Sequence, residues 1–409
     1  MGKQQAGALC QTYKTWMLIV LCRPLPRKSY FNSMNQARAT RNLCVLSFDG
    51  GGIRGLSSLF ILREIMRRLN GELTRRNPTY ETLHPWQVFD MICGTSTGGL
   101  IAIMLGRLHM SVDGAIEAYA KLAGRIFSET KWWWKEGRYK AGRLVKAINV
   151  TVGENTPHDT QADETLPLTK EEKDQQNAKI GNSIRMLDPR EDEERCPVFV
   201  CAVAADNGAF QPRLRTYPVV ANATPDCAIW EAGRATSAAP YFFKPTIIYE
   251  NNTSMRIIDG GLGCNNPTLQ LLDEVAGRFP TRRIACILSL GTGQRSVIQL
   301  RAAGGIPKLQ LFGMYKMLQK ISTDCEETHA QISDRFQNRP NVYFRLNVEQ
   351  GMQGVGLEEW KKLGQVQSHT LAYTQTHTAS RNVDNVVVAL IDRHGSVTVE
   401  QAAGKINQV

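Results

Sequence analysis

Two successive units of the same kind constrain the fold of this sequence most: an apolar strand, a glycine-rich turn and a helix. In the first unit, Leu43–Phe48 (LCVLSF) runs into DGGGIRG and then into a helical repeat that starts near Leu59. In the second, Val88–Cys93 (VFDMIC) runs into GTSTGG and a helix predicted over Leu100–Leu108. Strands that alternate with helices form mostly parallel sheets with helices on both faces. We therefore expect an α/β three-layer sandwich, with a central mostly parallel sheet flanked by helices.

The remaining elements follow the same alternation. Further strands are predicted at Val198–Val203, Arg256–Ile258 and Ile284–Leu290. Ser111 is placed to cap a helix that runs to about Phe127. The 409 residues are enough to bury a substantial core, so the fold needs neither disulfides nor a structural metal.

The net charge of +11 is distributed unevenly along the chain. Residues 1–48 carry seven Lys or Arg and neither Asp nor Glu. A basic arm of this kind can hold an anionic surface, although a solvated terminus is the simpler interpretation. No apolar run reaches the roughly 18 residues of a membrane span. Ten cysteines without a C-x-x-C pair favour a reducing compartment. We expect a cytoplasmic or peripheral membrane location rather than secretion.

Residues 94–98 (GTSTG) form a G-x-S-x-G sequence between the second strand and its helix. In this context the chain turns sharply and lifts the serine hydroxyl clear of the sheet, and Gly94 and Gly98 let backbones pass closely. The helix that follows points its positive end at the serine, where it favours a developing oxyanion. The motif predicts that Ser96 is a nucleophile; a glycine turn with an incidental serine is the alternative.

Residues 49–55 (DGGGIRG) follow the first strand. Successive glycines expose backbone N–H groups that can converge on one anion, as an oxyanion hole requires. Gly50, Gly52 and Gly55 also satisfy the dinucleotide-binding pattern G-x-G-x-x-G. That pattern needs an acidic residue about 20 positions further on, and Glu72 is the nearby candidate. At this point an oxyanion loop and a dinucleotide loop both stay open.

A third glycine-containing motif, Asp259-Gly260-Gly261, follows the predicted strand Arg256–Ile258. Paired with Ser96, Asp259 would accept the hydroxyl proton as a general base. An ordinary aspartate, with a pKa of about 3.9, is a weak base, so burial or geometry must compensate. A plain turn is the alternative interpretation of this triplet.

Together the three motifs resemble those of the patatin-like phospholipases. DGGGIRG, FDMICGTSTGG and DGGLGCNNP occur in the order and spacing of that family, from about Leu43 to Pro267. ATSAAP at 235–240 and LGTG at 290–293 carry a weaker resemblance. The resemblance is specific because three spaced motifs must coincide.

The resemblance implies a patatin-like fold and a lipid acyl hydrolase that acts on phospholipids, galactolipids or acylglycerols without a metal or other cofactor. The matching site residues are Ser96 as nucleophile, Asp259 as the aspartate of a serine–aspartate dyad, and Gly50, Gly51, Gly52 and Arg54 as the oxyanion loop. The implied reaction passes through an acyl-enzyme that water then hydrolyses.

On this basis we assign residues 43–395 to a patatin-like catalytic domain, 1–42 to a basic, poorly ordered arm and 396–409 to a C-terminal tail. Within the domain, the stretch at about 153–195 is rich in charged and amide side chains and nearly free of aromatics. This composition predicts a mobile polar insertion, with a lid over the site as the alternative.

A lipid substrate is the partner we expect, and we expect no nucleic acid. The basic arm and Trp132–Trp134, which Lys131 and Lys135 flank, are the two candidates for peripheral contact with a membrane. Indole rings favour the depth of lipid headgroups, and lysines favour anionic lipids. Packing of the tryptophans within the fold is the alternative.

Two further classes of function stay open. An ordinary α/β-hydrolase uses a Ser-His-Asp triad, and Asp259 followed by His329 or His369 has the required chain order. The seven histidines of the chain, however, lie in no evident motif. A non-catalytic lipid-binding module would keep the fold without turnover.

Overall fold

The computed structural model describes residue 38 and residues 40–128, 139–156, 169–190, 195–220, 223–250, 253–293 and 325–405. The structure discussed below belongs to the compact unit that begins at Asn42. The predictions for the basic arm and for Trp132–Trp134 fall outside the described residues. Over the described ranges, no helix is both long enough and apolar enough to cross a membrane.

Nine strands within the described ranges form one mixed sheet. In chain order they are β1 (Leu43–Phe48), β2 (Met91–Thr95), β3 (Val198–Ala204), β4 (Arg213–Arg215), β5 (Thr246–Glu250), β6 (Thr253–Asp259), β7 (Arg283–Leu290), β8 (Tyr343–Leu346) and β9 (Val397–Thr398). The main path has the order β5-β6-β3-β2-β1-β7-β8. The five strands from β3 to β8 on this path are parallel. The other four strands pair antiparallel.

Helices connect the parallel strands. They are α1 (Gly55–Arg76), α2 (Pro85–Val88), α3 (Thr97–Ala102), α4 (Val112–Phe127), α5 (Ala141–Glu154), α6 (Lys170–Ser183), α7 (Ile229–Thr236), α8 (Thr268–Arg278), α9 (Leu363–Gln375), α10 (His377–Asp392) and α11 (Val399–Ala402). A π-helical turn at Ile103–Arg107 continues α3, and 3₁₀ turns lie at Gly52–Arg54, Gly260–Leu262 and Trp360–Lys362.

Both faces of the sheet are buried. Leu43 and Val45 of β1 join Leu271 of α8 in one apolar cluster. The residue between them, Cys44, points to the opposite face because strand residues alternate, and it is fully buried as well. On the sheet, helix α3 contacts β1, and helix α10 contacts β7. The predicted α/β sandwich is confirmed, and burial on both faces explains why β1 is a continuous apolar run.

The ends of the second unit differ from the prediction. Val88 ends the short helix α2, and β2 begins three residues later, at Met91. Between them the Asp90 carboxylate accepts the N–H of Cys44 and pairs with Arg393. A short apolar run does not distinguish helix from strand, so sequence pattern alone could not find this boundary. The helix predicted over 100–108 begins earlier, at Thr97, and turns π-helical from Ile103.

The stretch predicted as a mobile polar insertion contains helix α6. Thr169 caps this helix by accepting the N–H of Glu172. Helices α5 and α6 approach closely: a Cβ on Gly153 would lie 2.1 Å from the Asn177 carbonyl oxygen, and one on Gly181 2.0 Å from that of Asn149. Glycine contacts, which an apolar pattern does not reveal, thus place a polar helix against its neighbour. The mobile insertion, with a lid as its alternative, stays a prediction.

The C-terminal tail assigned to 396–409 also contributes to the fold. Strand β9 pairs with β7 through Ile284 and Val397. Val397, Val399 and Ala402 belong to the same apolar cluster as α8. The folded domain therefore continues past residue 395 to at least Ala402, because these small apolar side chains close one edge of the core.

Candidate active site

Ser96 stands at a strained turn between β2 and α3. Its backbone has φ 55° and ψ −125°, a conformation that residues other than glycine rarely adopt. The Ser96 N–H donates to Thr236 Oγ1 at 2.8 Å, and the Thr236 hydroxyl donates in turn to the Cys201 carbonyl at 2.6 Å. A Cβ on Gly98 would lie 2.5 Å from the Phe48 carbonyl oxygen, so only glycine lets the turn approach the end of β1.

Strand β3 brings Asp259 to the same place. Cys201 of β3 is in register with Thr95 of β2, and the next residue, Ala202, is in register with Asp259 of β6. The Ala202 N–H donates to the carbonyl of Pro212 on the other edge of β3, so β6 takes the edge that β2 leaves. Strands β2 and β6 therefore meet at their carboxyl ends: β2 ends at the residue before Ser96, and β6 ends at Asp259.

The two side chains are in hydrogen-bond contact. Ser96 Oγ donates to Asp259 Oδ2 at 2.7 Å, and the Gly261 N–H donates to Asp259 Oδ1 at 2.7 Å. Asp259 is 4% exposed. Burial raises the pKa of Asp259 to about 7, and the hydrogen bonds from Gly261 and Ser96 oppose this rise. A carboxylate with such a pKa is a far better base at neutral pH than an ordinary aspartate.

The glycine loop that follows β1 lies against this pair. The Gly50 carbonyl accepts hydrogen bonds from Asn265 Nδ2 at 3.2 Å and Thr292 Oγ1 at 3.1 Å. Gly52 has φ 57°, and a Cβ there would lie 2.3 Å from the Leu357 carbonyl oxygen. Glycine at this position is required both by the left-handed backbone and by the contact.

A buried ion pair fixes the start of the loop. Arg345 on β8 donates to both carboxylate oxygens of Asp49, at 2.9 and 2.5 Å, and to Ser289 Oγ at 2.9 Å. The side chains of Arg345 and Asp49 are 6% and 2% exposed. Proximity to Asp49 raises the pKa of Arg345 further above its ordinary value, against the effect of burial. Sequence reasoning missed Arg345, because no local motif marks its position.

The three predicted oxyanion glycines differ in what their N–H groups do. The Gly50 N–H donates to the Asn265 carbonyl at 3.2 Å, and the Gly51 N–H donates to Thr97 Oγ1 at 3.2 Å. Among the described residues, the Gly52 N–H has no hydrogen-bond acceptor. Of the three glycines, Gly52 therefore has the donor without an acceptor in the described ranges, while the N–H groups of Gly50 and Gly51 help to hold the loop in place. Arg54 is 3% exposed and lines the same cavity.

A largely apolar cavity opens beside these groups. Its polar end contains Ser96, Asp259 and the glycine loop. The apolar wall includes Leu100, Leu122, Ile126, Phe127, Leu144 and Phe242. The cavity therefore places an apolar wall next to a polar end at Ser96.

The structure gives the other predicted candidates different positions. No histidine of the described ranges lines this cavity; His329 and His369 line a separate one, and Asp259 bonds Ser96 and Gly261. Glu72 forms ion pairs with its helix neighbours Arg75 and Arg76. Neither a triad nor a dinucleotide site gains support from these positions. In the same ranges, no cluster of three or more His, Cys, Asp or Glu side chains could hold a metal ion.

The fold and these contacts define an α/β sandwich protein with a serine–aspartate pair at the carboxyl ends of its strands. The family model described as patatin-like phospholipase matches residues 46–272, an interval that contains both members of the pair. The chain belongs to the patatin-like phospholipase family.

Curated relatives carry related names. The chain is 28% identical over 345 residues to the calcium-independent phospholipase A2-gamma of Homo sapiens, covering 82% of this chain and 38% of that protein. It is 27% identical over 374 residues to phospholipase A I of Arabidopsis thaliana, covering 79% of this chain and 26% of that protein. The patatin-like phospholipase 1 of Plasmodium falciparum (isolate NF54) is 23% identical over 330 residues, covering 74% and 43%. The chain thus spans less than half the length of these relatives.

Proposed function

We propose that this protein is a lipid acyl hydrolase, a serine esterase that cleaves carboxylic ester bonds through Ser96 and Asp259. The observation that carries the proposal is the 2.7 Å contact between the Ser96 hydroxyl and a buried carboxylate whose pKa is about 7. Membership of the patatin-like phospholipase family supports the same activity.

The proposed reaction has two halves. Ser96 Oγ attacks the ester carbonyl while its proton passes to Asp259, and the tetrahedral oxyanion is held by N–H groups of the glycine loop, that of Gly52 foremost. Arg54 supplies fixed positive charge in the same buried region. The bond to the alcohol then breaks, and the alcohol leaves with the proton from Asp259. In the second half, Asp259 takes a proton from water, whose oxygen attacks the acyl-enzyme carbonyl. The bond to Ser96 Oγ then breaks, Oγ regains the proton from Asp259, and the fatty acid leaves.

We propose phospholipids as the first substrates to test, with galactolipids and acylglycerols as the other lipid esters. The apolar wall of the cavity, formed by residues such as Leu122 and Phe242, fits an acyl chain. The names of the relatives, which include phospholipase A2 and phospholipase A, favour phospholipids. Contact with a membrane through the basic arm and Trp132–Trp134 stays a prediction.

Release of fatty acid from phospholipid–detergent micelles tests the proposal. Wild type should release it, and Ser96→Ala should reduce the rate to the background, while Ser183→Ala, a control at an exposed serine of α6, should match wild type. A fluorophosphonate probe should label wild type and Ser183→Ala but not Ser96→Ala. Equal release by wild type and Ser96→Ala would remove Ser96 from the mechanism.

Histidine variants separate the dyad from a triad. His329→Ala and His369→Ala should both retain esterase activity, because their side chains lie away from the cavity that holds Ser96. Loss of activity in either variant, with the thermal unfolding temperature unchanged, would favour a Ser-His-Asp triad instead.

A further inference from the structure

Ser237 carries a buried hydroxyl that the mechanism above does not use. The residue is 7% exposed, and its Oγ has no hydrogen-bond partner among the described residues. It lines the cavity that contains Ser96 and Asp259. Leaving a buried hydroxyl without a partner costs free energy, and such groups are rare in folded proteins. A hydroxyl kept in this state, on a residue that lines the cavity, points to a partner that arrives with the substrate.

The residues on either side of Ser237 bind the backbones of both reacting residues. Thr236 Oγ1 accepts the N–H of Ser96 at 2.8 Å, and the Ala238 carbonyl accepts the N–H of Asp259 at 3.1 Å. The segment 236–238 thus spans the reacting pair, and small shifts of Ser237 relative to that pair are prevented by these two hydrogen bonds.

Ser237 and the glycine loop lie on opposite sides of Ser96. The glycine loop extends from β1, whereas segment 236–238 is bonded to Cys201 of β3 and Asp259 of β6. Strand β2, which ends at the residue before Ser96, lies between β1 and β3 in the sheet. An ester whose carbonyl oxygen points to the glycine loop therefore has another of its groups on the side of Ser237.

We propose that the Ser237 hydroxyl donates a hydrogen bond to the alcohol oxygen of the bound ester and so assists departure of the alcohol. This inference rests on the proposed esterase function. The alcohol oxygen must lie near Asp259, because Asp259 is the group that delivers its proton. Segment 236–238 is bonded to the Asp259 backbone, which places residue Ser237 on that side of the cavity.

Departure of the alcohol changes two covalent bonds. The bond from Ser96 Oγ to the carbonyl carbon forms, and the bond from that carbon to the alcohol oxygen breaks. The proton of Ser96 passes to Asp259 and then to the departing oxygen, which leaves as a neutral alcohol. Ser237 keeps its own proton, and its hydrogen bond stabilises the negative charge on the departing oxygen before protonation.

Two esters with the same acyl chain test the proposal, one of p-nitrophenol and one of glycerol. We compare kcat/KM, which reports the steps through acyl-enzyme formation, for wild type and Ser237→Ala. Ser237→Ala should lower kcat/KM for the glycerol ester roughly tenfold to one-hundredfold, the range for a hydrogen bond to a charged group. It should change kcat/KM for the p-nitrophenyl ester less than about threefold, because nitrophenolate departs without this assistance.

The p-nitrophenyl ester also serves as the internal control for folding and for the Ser96–Asp259 pair. Equal loss with both esters, or no loss with either, would overturn the role of Ser237 in alcohol departure while leaving the esterase function in place. Failure of wild type to cleave either ester would instead overturn the esterase function, and this inference with it.

Discussion

Ser96 and Asp259 are each held in a state that an isolated residue would avoid. The backbone of Ser96 has a positive φ, a conformation that costs of the order of 1–3 kcal/mol. Burial of Asp259 disfavours its charged form. Hydrogen bonds from Ser96 to Thr236 and from Gly261 to Asp259 offset part of these costs. Each departure from the relaxed state also provides something that the proposed chemistry needs: an exposed hydroxyl and a stronger base.

Esterase activity should therefore depend on pH through Asp259. Because the carboxylate must be ionised to accept the Ser96 proton, and its pKa is raised to about 7, kcat/KM should rise with pH and level off above about pH 8. The measurement is kcat/KM for a soluble ester of uncharged acyl chain between about pH 5 and pH 9. A flat profile through this range would mean that a different group sets the rate.

The free energy of unfolding should also depend on the ionisation of Asp259. Asp259 has its pKa raised from 3.8 to about 7, so the stability that this group contributes is present below about pH 3.8 and lost as pH rises through about 7. Asp259→Asn removes the ionisable group; its amide oxygen can still accept from the Gly261 N–H, and its amide NH₂ can donate to the Ser96 hydroxyl, which then accepts. At pH 8 this variant should be inactive yet more stable than wild type, by up to a few kcal/mol.

Urea unfolding at several pH values measures this difference. The gap in the free energy of unfolding between Asp259→Asn and wild type should shrink as pH falls from about 8 to about 5, because the wild-type carboxyl becomes protonated in the folded state. A gap that does not change with pH would show that packing, not ionisation, separates the two proteins.

Among the elements, the pair α5 and α6 offers a test of helix packing. A Cβ on Gly181 would lie 2.0 Å from the Asn149 carbonyl oxygen, so Gly181→Ala must push the helices apart. We expect a loss of roughly 1–3 kcal/mol in the free energy of unfolding. Gly142, also in α5, has no atom within 4 Å of a built Cβ, and Gly142→Ala should stabilise the protein by up to about 1 kcal/mol.

Thermal or urea unfolding of the two glycine variants gives the comparison directly. If Gly181→Ala were as stable as Gly142→Ala, the close contact between the two helices would not exist in solution. Both substitutions replace glycine by alanine within a helix, so the intrinsic helix propensity changes in the same direction, and the difference between them reports packing.

The sequence predicted the elements that a pattern can encode. Helix α4 begins and ends as its serine cap and apolar repeat indicate, and the mainly apolar runs of β1 and β7 form buried strands. Sequence patterns did not predict three features that depend on distant partners. These are the end of α2 at Val88, the contact of α6 with α5 through glycines, and the pairing of β9 with β7. Their formation depends on tertiary contacts, which override local preference.

The candidate site divides in the same way. Ser96 and Asp259 could be proposed from motifs, because their chemistry needs glycines beside them. Thr236, Asn265 and Arg345, which position the reacting groups, could not be assigned a role in advance. Each acts through a backbone hydrogen bond or an ion pair to a residue far away in the sequence, and no spacing rule connects such partners.

At the scale of the whole molecule, a buried ion pair joins the C-terminal end of α10 to the start of β2. Arg393 Nη1 donates to Asp90 Oδ2 at 2.7 Å, and the two side chains are 1% and 2% exposed. Asp90→Ala leaves a buried guanidinium without its carboxylate, so we expect a loss of about 3–5 kcal/mol in the free energy of unfolding.

The partly exposed pair Arg68–Asp384 is the matched control. It has the same 2.7 Å separation, but Asp384 is 65% exposed. Asp384→Ala should therefore cost about 1 kcal/mol or less in the same urea experiment. Similar losses for Asp90→Ala and Asp384→Ala would contradict the larger contribution to the free energy of unfolding that we expect from the buried pair.

The end-to-end meeting of β2 and β6 along β3 has a consequence for how this molecule tolerates change. Ser96 and Asp259 are 163 positions apart in the sequence. Their distance in space is nevertheless set by two consecutive residues of β3, Cys201 and Ala202, which pair with the ends of β2 and β6. Connecting segments can grow or shrink without altering that spacing. Inserting one residue into β3, between Cys201 and Ala202, would displace one partner by about 3.3 Å and break their contact.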